Sequence, residues 1–241
     1  MIKRLLLSLA VLAGLVALAD RGAAYVAGNA TAHEIRVHEG LREDPDVTFR
    51  GFPFVTQAVR GEFRRVDVTL HDLERGGLTM ARIDAQLDGV RVDLSKALKG
   101  RVAAVPVDHG SATVRETYGD LNGFLATKPG NVHVVVHDGR AFVRASFGVA
   151  GAGQTEVEGT PRVSVTRTSV RVTTTNVHPV AGGSPLSAAL AAAAATRASF
   201  TVPLEEMPFG IEVGSAELTP TGLVVRATAS GFVVDVRDNV G

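Results

Sequence analysis

From about residue 45 onward, apolar and polar residues alternate with a period of two, and this constrains the fold more than any other feature. In Ala81-Arg82-Ile83-Asp84-Ala85-Gln86-Leu87-Asp88 the odd positions are apolar and the even ones polar. A strand points successive side chains to opposite faces, so this segment reads as a strand with one wet face. Val66, Val68 and Leu70 alternate with Asp67, Thr69 and His71 in the same way. Val132, Val134 and Val136 lead into His137-Asp138-Gly139-Arg140, which carries hairpin chemistry. Further runs lie at 162–175 and 223–236. Antiparallel sheets tolerate a solvated face, whereas parallel sheets read as unbroken apolar runs. The pattern predicts an α+β fold that is predominantly antiparallel β.

Several runs change parity part-way. Ile83, Ala85 and Leu87 give way to Val90, Val92 and Leu94 after Gly89, and Val163 and Val165 give way to Val170 and Val172 across Thr168-Ser169. A one-residue insertion flips every later side chain to the other face, so these points predict bulges or bends in a long, curved sheet. Three helical segments interrupt it, at 53–60, 120–126 and 184–199. In the second, Leu121, Phe124 and Leu125 share one face. The third is rich in alanine, with Ser184 placed to cap it and Pro185 at its first position. Alanine favours helix but fills little space. Such a helix either packs close to a sheet or leaves room beside itself for a ligand.

The N-terminus carries a second signal. Lys3 and Arg4 precede an uncharged run from Leu5 to Ala19, which Asp20 and Arg21 end. Fifteen residues suit a signal-peptide core, while a spanning helix needs about 20. Ala17-Leu18-Ala19 and Ala30-Thr31-Ala32 both fit a cleavage site. Residues 1–32 are therefore expected to be a signal peptide or N-terminal membrane anchor, and 33–241 a single β-rich domain. The chain is expected to be exported to the cell envelope, anchored or soluble.

Motifs for catalysis are missing. The sequence has no cysteine, which excludes thiolate metal sites, a cysteine nucleophile and a lipid-modified N-terminal cysteine. Its 25 basic and 25 acidic residues cancel, so no strong field favours nucleic acid. His33-Glu34-Ile35-Arg36-Val37-His38 sets its histidines five apart, one too many for the zinc-protease motif. His133 and His137 are separated by valines on a strand, which holds them roughly 13 Å apart. Zinc ligands must each lie about 2 Å from the metal. No nucleophile elbow, phosphate-binding loop or dinucleotide motif occurs. The reading is of a protein that is not an enzyme and needs no cofactor or metal.

Two stretches resemble a known family. Gly51-Phe52-Pro53-Phe54-Val55-Thr56-Gln57, then Gly61 and Val66-Asp67-Val68, resembles the opening of the LmeA-like phospholipid-binding family of actinobacteria. Met207-Pro208-Phe209-Gly210 and 218–227 (Leu-Thr-Pro-Thr-Gly-Leu-Val-Val-Arg-Ala) resemble its closing segment. Val105-Pro106-Val107-Asp108 and Tyr118-Gly119-Asp120-Leu121-Asn122 look like its middle, while 108–112 departs from the pattern. The resemblance implies an envelope protein that binds phospholipid without catalysis, and a tubular lipid-binding-like fold in which a long curved, bulged sheet wraps the Ala-rich helix.

Acyl chains gain about 0.8 kcal/mol for each methylene buried, so an apolar groove suffices to hold them. Candidate lining residues are Phe52, Phe54, Phe63, Leu125, Leu186, Leu190, Met207 and Phe209, chosen for apolar size and proximity to the motifs or helices. The expected partners are a phospholipid or other acyl-chain lipid and the plasma membrane surface, with no nucleic acid. An envelope scaffold or protein-interaction domain with a closed core and no lipid is the first alternative, and a secreted hydrolase with an unrecognised site the second.

Overall fold

The computed structural model describes all residues except 1, 76–77, 98, 100–103, 129, 150–152, 167–168, 181–185, 204–211 and 236–241. The chain opens with a long helix, α1 (Ile2–Glu39), followed by β1 (Asp46–Arg50) and the short α2 (Phe54–Arg60). Three long strands follow, β2 (Glu62–Arg75), β3 (Leu78–Arg91) and β4 (Ala104–Thr117), with α3 (Leu94–Ala97) before the last. Next come α4 (Tyr118–Ala126), β5 (Val132–His137), β6 (Arg140–Val149), β7 (Gly153–Val165) and β8 (Ser169–Pro179). The remaining elements are α5 (Ala188–Arg197), β9 (Phe200–Pro203), β10 (Glu212–Thr219) and β11 (Gly222–Asp235).

The strands form two sheets, ordered β1-β2-β3-β4-β11-β10 and β5-β6-β7-β8-β9. Every described strand pairing is antiparallel, as the alternation requires. The fold is α+β with curled antiparallel sheets. The hairpin at 138–139 forms as expected: Asp138 and Gly139 both take positive φ (52° and 68°), which the tight two-residue turn demands.

The parity changes have two different origins. Gly89 sits inside β3 at φ 67°, and a Cβ there would stand 2.2 Å from the Asp108 Oδ2, so only glycine fits. The change near 168 is a chain reversal, not a bulge. Val163 lies opposite Val172 and Val165 opposite Val170, and the Thr166 N–H donates to the Ser169 carbonyl at 2.8 Å. Among the described pairings, register shifts fall at Glu158/Thr160 and at Val213/Ser215.

Packing divides the chain into two units. The first comprises 1–71, 84–112 and 229–241, the second 72–83 and 113–228. In the first unit Val66, Val90 and Val107 form the buried centre, with Phe49, Phe63, Leu87 and Phe232 packed around them. In the second, Leu121, Phe124 and Leu125 of α4 join Val143, Val157, Val170, Val172, Leu223 and Val225 from the strands. Helix α5 lies against β8 and β6, and its Ala194 and its C-terminal cap Ala198 are wholly buried. The cap of α5 is Ser187, whose Oγ accepts the Leu190 N–H at 3.3 Å. Ser184 and Pro185 lie outside the described residues.

Helix α1 runs through the expected boundary at residue 32 without a break. Its buried positions are Asp20, Ala24, Gly28 and Ala32, four apart, so they share one face. That face meets β1 closely enough that a Cβ on Gly28 would come within 2.5 Å of the Val47 carbonyl oxygen. Before residue 17, by contrast, the described positions 10–16 are all exposed.

Candidate functional site

In the first unit the residues of the opening motif surround the start of α2. The Asp20 carboxylate, buried at the edge of α1, accepts the Phe54 N–H at 3.0 Å and the Val55 N–H at 2.9 Å. Those amides have no partner inside the helix, so Asp20 supplies the cap that Pro53 cannot. Arg21 bonds both the Asp20 carboxylate (2.6 Å) and the Gly51 carbonyl (2.7 Å). Its guanidinium lies 5.8 Å from the centre of the Phe52 ring. Gln57, buried on the inner face of α2, donates to the Arg50 and Pro53 carbonyls and accepts the Arg64 N–H at 2.9 Å.

Beneath α2 three aromatic rings cluster. Phe49 lies 5.4 Å from Phe54 and 4.9 Å from Phe63, and Phe54 lies 6.0 Å from Phe63, centroid to centroid. Phe54 is buried there and Phe63 half-buried. Phe52 instead points outward, 53% exposed. Beside it is an open depression of about 580 Å³ lined by Arg50, Gly51, Arg64, Arg65, Asp67 and Asp88. Two of its arginines are paired, Arg50 with Asp67 at 2.6 Å and Arg65 with Asp88 at 2.8 Å.

In the second unit the middle and closing motifs meet. The Tyr118 hydroxyl donates to the Thr219 carbonyl, and burial raises the phenol's pKa to about 12. The Asn122 amide both donates to the Val134 carbonyl (2.9 Å) and accepts its N–H (2.7 Å), pinning α4 to the edge of β5. Gly222 packs so tightly on β4 that a Cβ would stand 1.9 Å from the Glu116 carbonyl oxygen. The motif residues in this unit are joints of the scaffold.

A small depression of about 190 Å³ opens beside that joint, lined by Ala81, Arg115, Glu116, Thr117, Thr221, Gly222, Leu223 and Val224. Glu116 is 4% exposed, and neither carboxyl oxygen has a hydrogen-bond partner among the described residues. Burial, with the nearby Asp120 charge, raises its pKa to about 8. Sequence reasoning gave this residue no weight, and only its place among inward-facing residues of β4 would have drawn attention to it. A second buried carboxylate in this unit, Glu158, is satisfied. Burial pushes its pKa up, but bonds from Arg144 (2.8 Å) and His137 (2.9 Å) outweigh that and hold it low. His137 also stacks on Phe142 at 4.1 Å, so its strand position serves a structural contact.

The eight candidate lining residues divide accordingly. Phe54 and Phe63 come together under α2, while Phe52 lies outside that cluster. Leu125 is fully buried in the core of the second unit, and Leu186 and Leu190 lie half-buried against that core at the start of α5. Met207 and Phe209 fall outside the described residues. Among the described residues no cluster of histidines and carboxylates is arranged to hold a metal ion.

Comparison with known proteins agrees with the motifs. Residues 18–228 match the family described as LmeA-like phospholipid-binding, and the chain belongs to that family. No curated protein and no solved structure matches it.

Proposed function

We propose that the protein binds phospholipid without catalysis and carries it at the outer face of the plasma membrane, in maintenance of the cell envelope. The observation that carries this reading is the family match across 18–228, which takes in both packed units. The start of α5 supports a place for the acyl chains. Leu186 just before α5 and Leu190 on it stand half-buried, and Leu190 is followed by five alanines. An apolar chain laid against them would gain about 0.8 kcal/mol per methylene without any polar group to assist. The N-terminal helix is long and apolar enough to cross a membrane or to direct export, which fits an envelope location.

The test is native mass spectrometry with lipid extraction on the full chain from a bacterial host. Phospholipid at defined stoichiometry is expected, and Leu190→Asp is expected to lose it while circular dichroism stays unchanged. A wild-type protein that arrives empty and takes up no added phospholipid overturns the reading. One observation favours the scaffold alternative: the depression beside Leu223 and Val224, at about 190 Å³, falls short of the ~300 Å³ of small-molecule sites. An empty protein would promote that alternative.

A further inference from the structure

We propose that the outer face of α2, formed by Phe52, Val55 and Val59, rests on the bilayer as a second membrane contact beside the point where α1 enters it. Phe52 is 53% exposed, Val55 49% and Val59 71%. Val55 and Val59 are four apart on α2, away from the buried Phe54 and Gln57, so the helix turns an apolar stripe outward from its packed face. Soluble surfaces carry single exposed hydrophobics freely, but a contiguous patch marks a partner.

The occupant follows from what adjoins the patch. The bonds from Asp20 to the first two amides of α2 bring α1 to the same spot. Immediately before Asp20, α1 exposes Leu15, Val16 and Leu18, which extend the apolar surface. From Leu5 to Ala19 the uncharged part of this helix rises about 22 Å, most of the ~30 Å hydrocarbon core of a bilayer, with charged residues flanking it at both ends. Lys3 and Arg4 lie at one end of that rise and Arg21 at the other. With the lysine and arginine at the N-terminal end held inside, the folded chain emerges on the outer side. Arg21, over the Phe52 ring, and Arg60 in the last turn of α2 then sit at headgroup level, where anionic phosphates meet them. A bilayer matches both the apolar stripe and its cationic margin.

This surface rests on the envelope reading above for its compartment, and its test separates the two. Because the chain has no cysteine, single spin labels can be placed without removing any native residue of that type. The full chain is reconstituted in phosphatidylglycerol–phosphatidylethanolamine vesicles with labels at Val55→Cys, Val59→Cys and, as a reference, the exposed turn position Asp138→Cys. Both α2 labels are expected to collide several-fold less with an aqueous nickel chelate than the reference, and more with oxygen. Two results overturn the proposal: reference-like collisions with the chelate, or shielding from both probes with spin–spin broadening that grows with protein density, which would mark a second copy. Lipid extracted from the Val55→Ser/Val59→Ser chain is read in parallel. Water-exposed labels with lipid still bound remove the docking surface alone, and water-exposed labels on an empty protein remove the lipid reading with it.

Discussion

Replacing Glu116 by glutamine should flatten the pH dependence of stability between pH 5.5 and 7.5. The carboxyl is 4% exposed, has no hydrogen-bond partner among the described residues, and has a folded-state pKa of about 8 against 4.5 in an unfolded chain. Between those values the folded protein holds a proton that the unfolded chain has released. Stability from this group is therefore fully present below pH 4.5 and falls as pH rises toward 8. One proton of difference is worth about 1.4 kcal/mol per pH unit, hence roughly 2.5 kcal/mol over the interval. Relaxation of the surroundings around the ionised carboxyl offsets part of this and leaves about 2 kcal/mol. The chain lacks tryptophan, so urea unfolding is best followed by far-UV circular dichroism. Wild type should lose about 2 kcal/mol from pH 5.5 to 7.5, and Glu116→Gln should lose much less. An identical loss in both proteins would refute the argument, because the titrating group would then lie elsewhere.

Gln57→Ala should cost roughly 1–3 kcal/mol, since it strands the Arg64 N–H beneath α2. A urea midpoint within error of wild type would mean that water replaces the amide. A chain beginning at Asp20 should keep the wild-type melting temperature, whereas one beginning at residue 33 should melt earlier, having lost the Asp20 cap and the Gly28 contact with β1. Equal melting of the two truncations, measured by circular dichroism, would show that α1 contributes nothing to the folded unit.

The strands were legible because a wet-faced antiparallel sheet writes its geometry into the sequence at period two. The turn Asp138-Gly139 and the buried face of α4 were legible for the same local reasons. The step from Val163 and Val165 to Val170 and Val172 misled because parity alone does not separate a bulge from a hairpin. In a hairpin of this register, cross-strand partners have numbers of opposite parity, as Val163 and Val172 do. Only the third dimension tells the two apart. Asp20 looked like the charge that ends an apolar run. Its bonds to the amides of residues 54 and 55 depend on contacts more than thirty residues away, which no local pattern records. Phe52 and Phe54 are two apart in one motif, yet one is exposed and the other buried, because the chain turns at Pro53 before α2 begins.

The placement of the family motifs bears on where lipid specificity resides. Gln57 holds the inner face of α2, Asn122 holds α4 to β5, Tyr118 reaches Thr219, and Gly222 admits the backbone of β4. Each makes a directional contact that few other residue types reproduce, so each is the kind of residue a recognisable motif consists of. A groove for acyl chains imposes no such demand, because burial of methylenes is non-directional and many apolar residues serve equally. The Leu186 and Leu190 side chains at the start of α5, and the Val55 and Val59 side chains on the exposed side of α2, make none of these directional contacts. The motif residues that make joints and the residues proposed to meet lipid or membrane are therefore distinct in role, even where Phe52 and Val55 share the opening motif with Gln57. Substitution of the first should be read out as stability, and substitution of the second as bound lipid or membrane contact at unchanged stability.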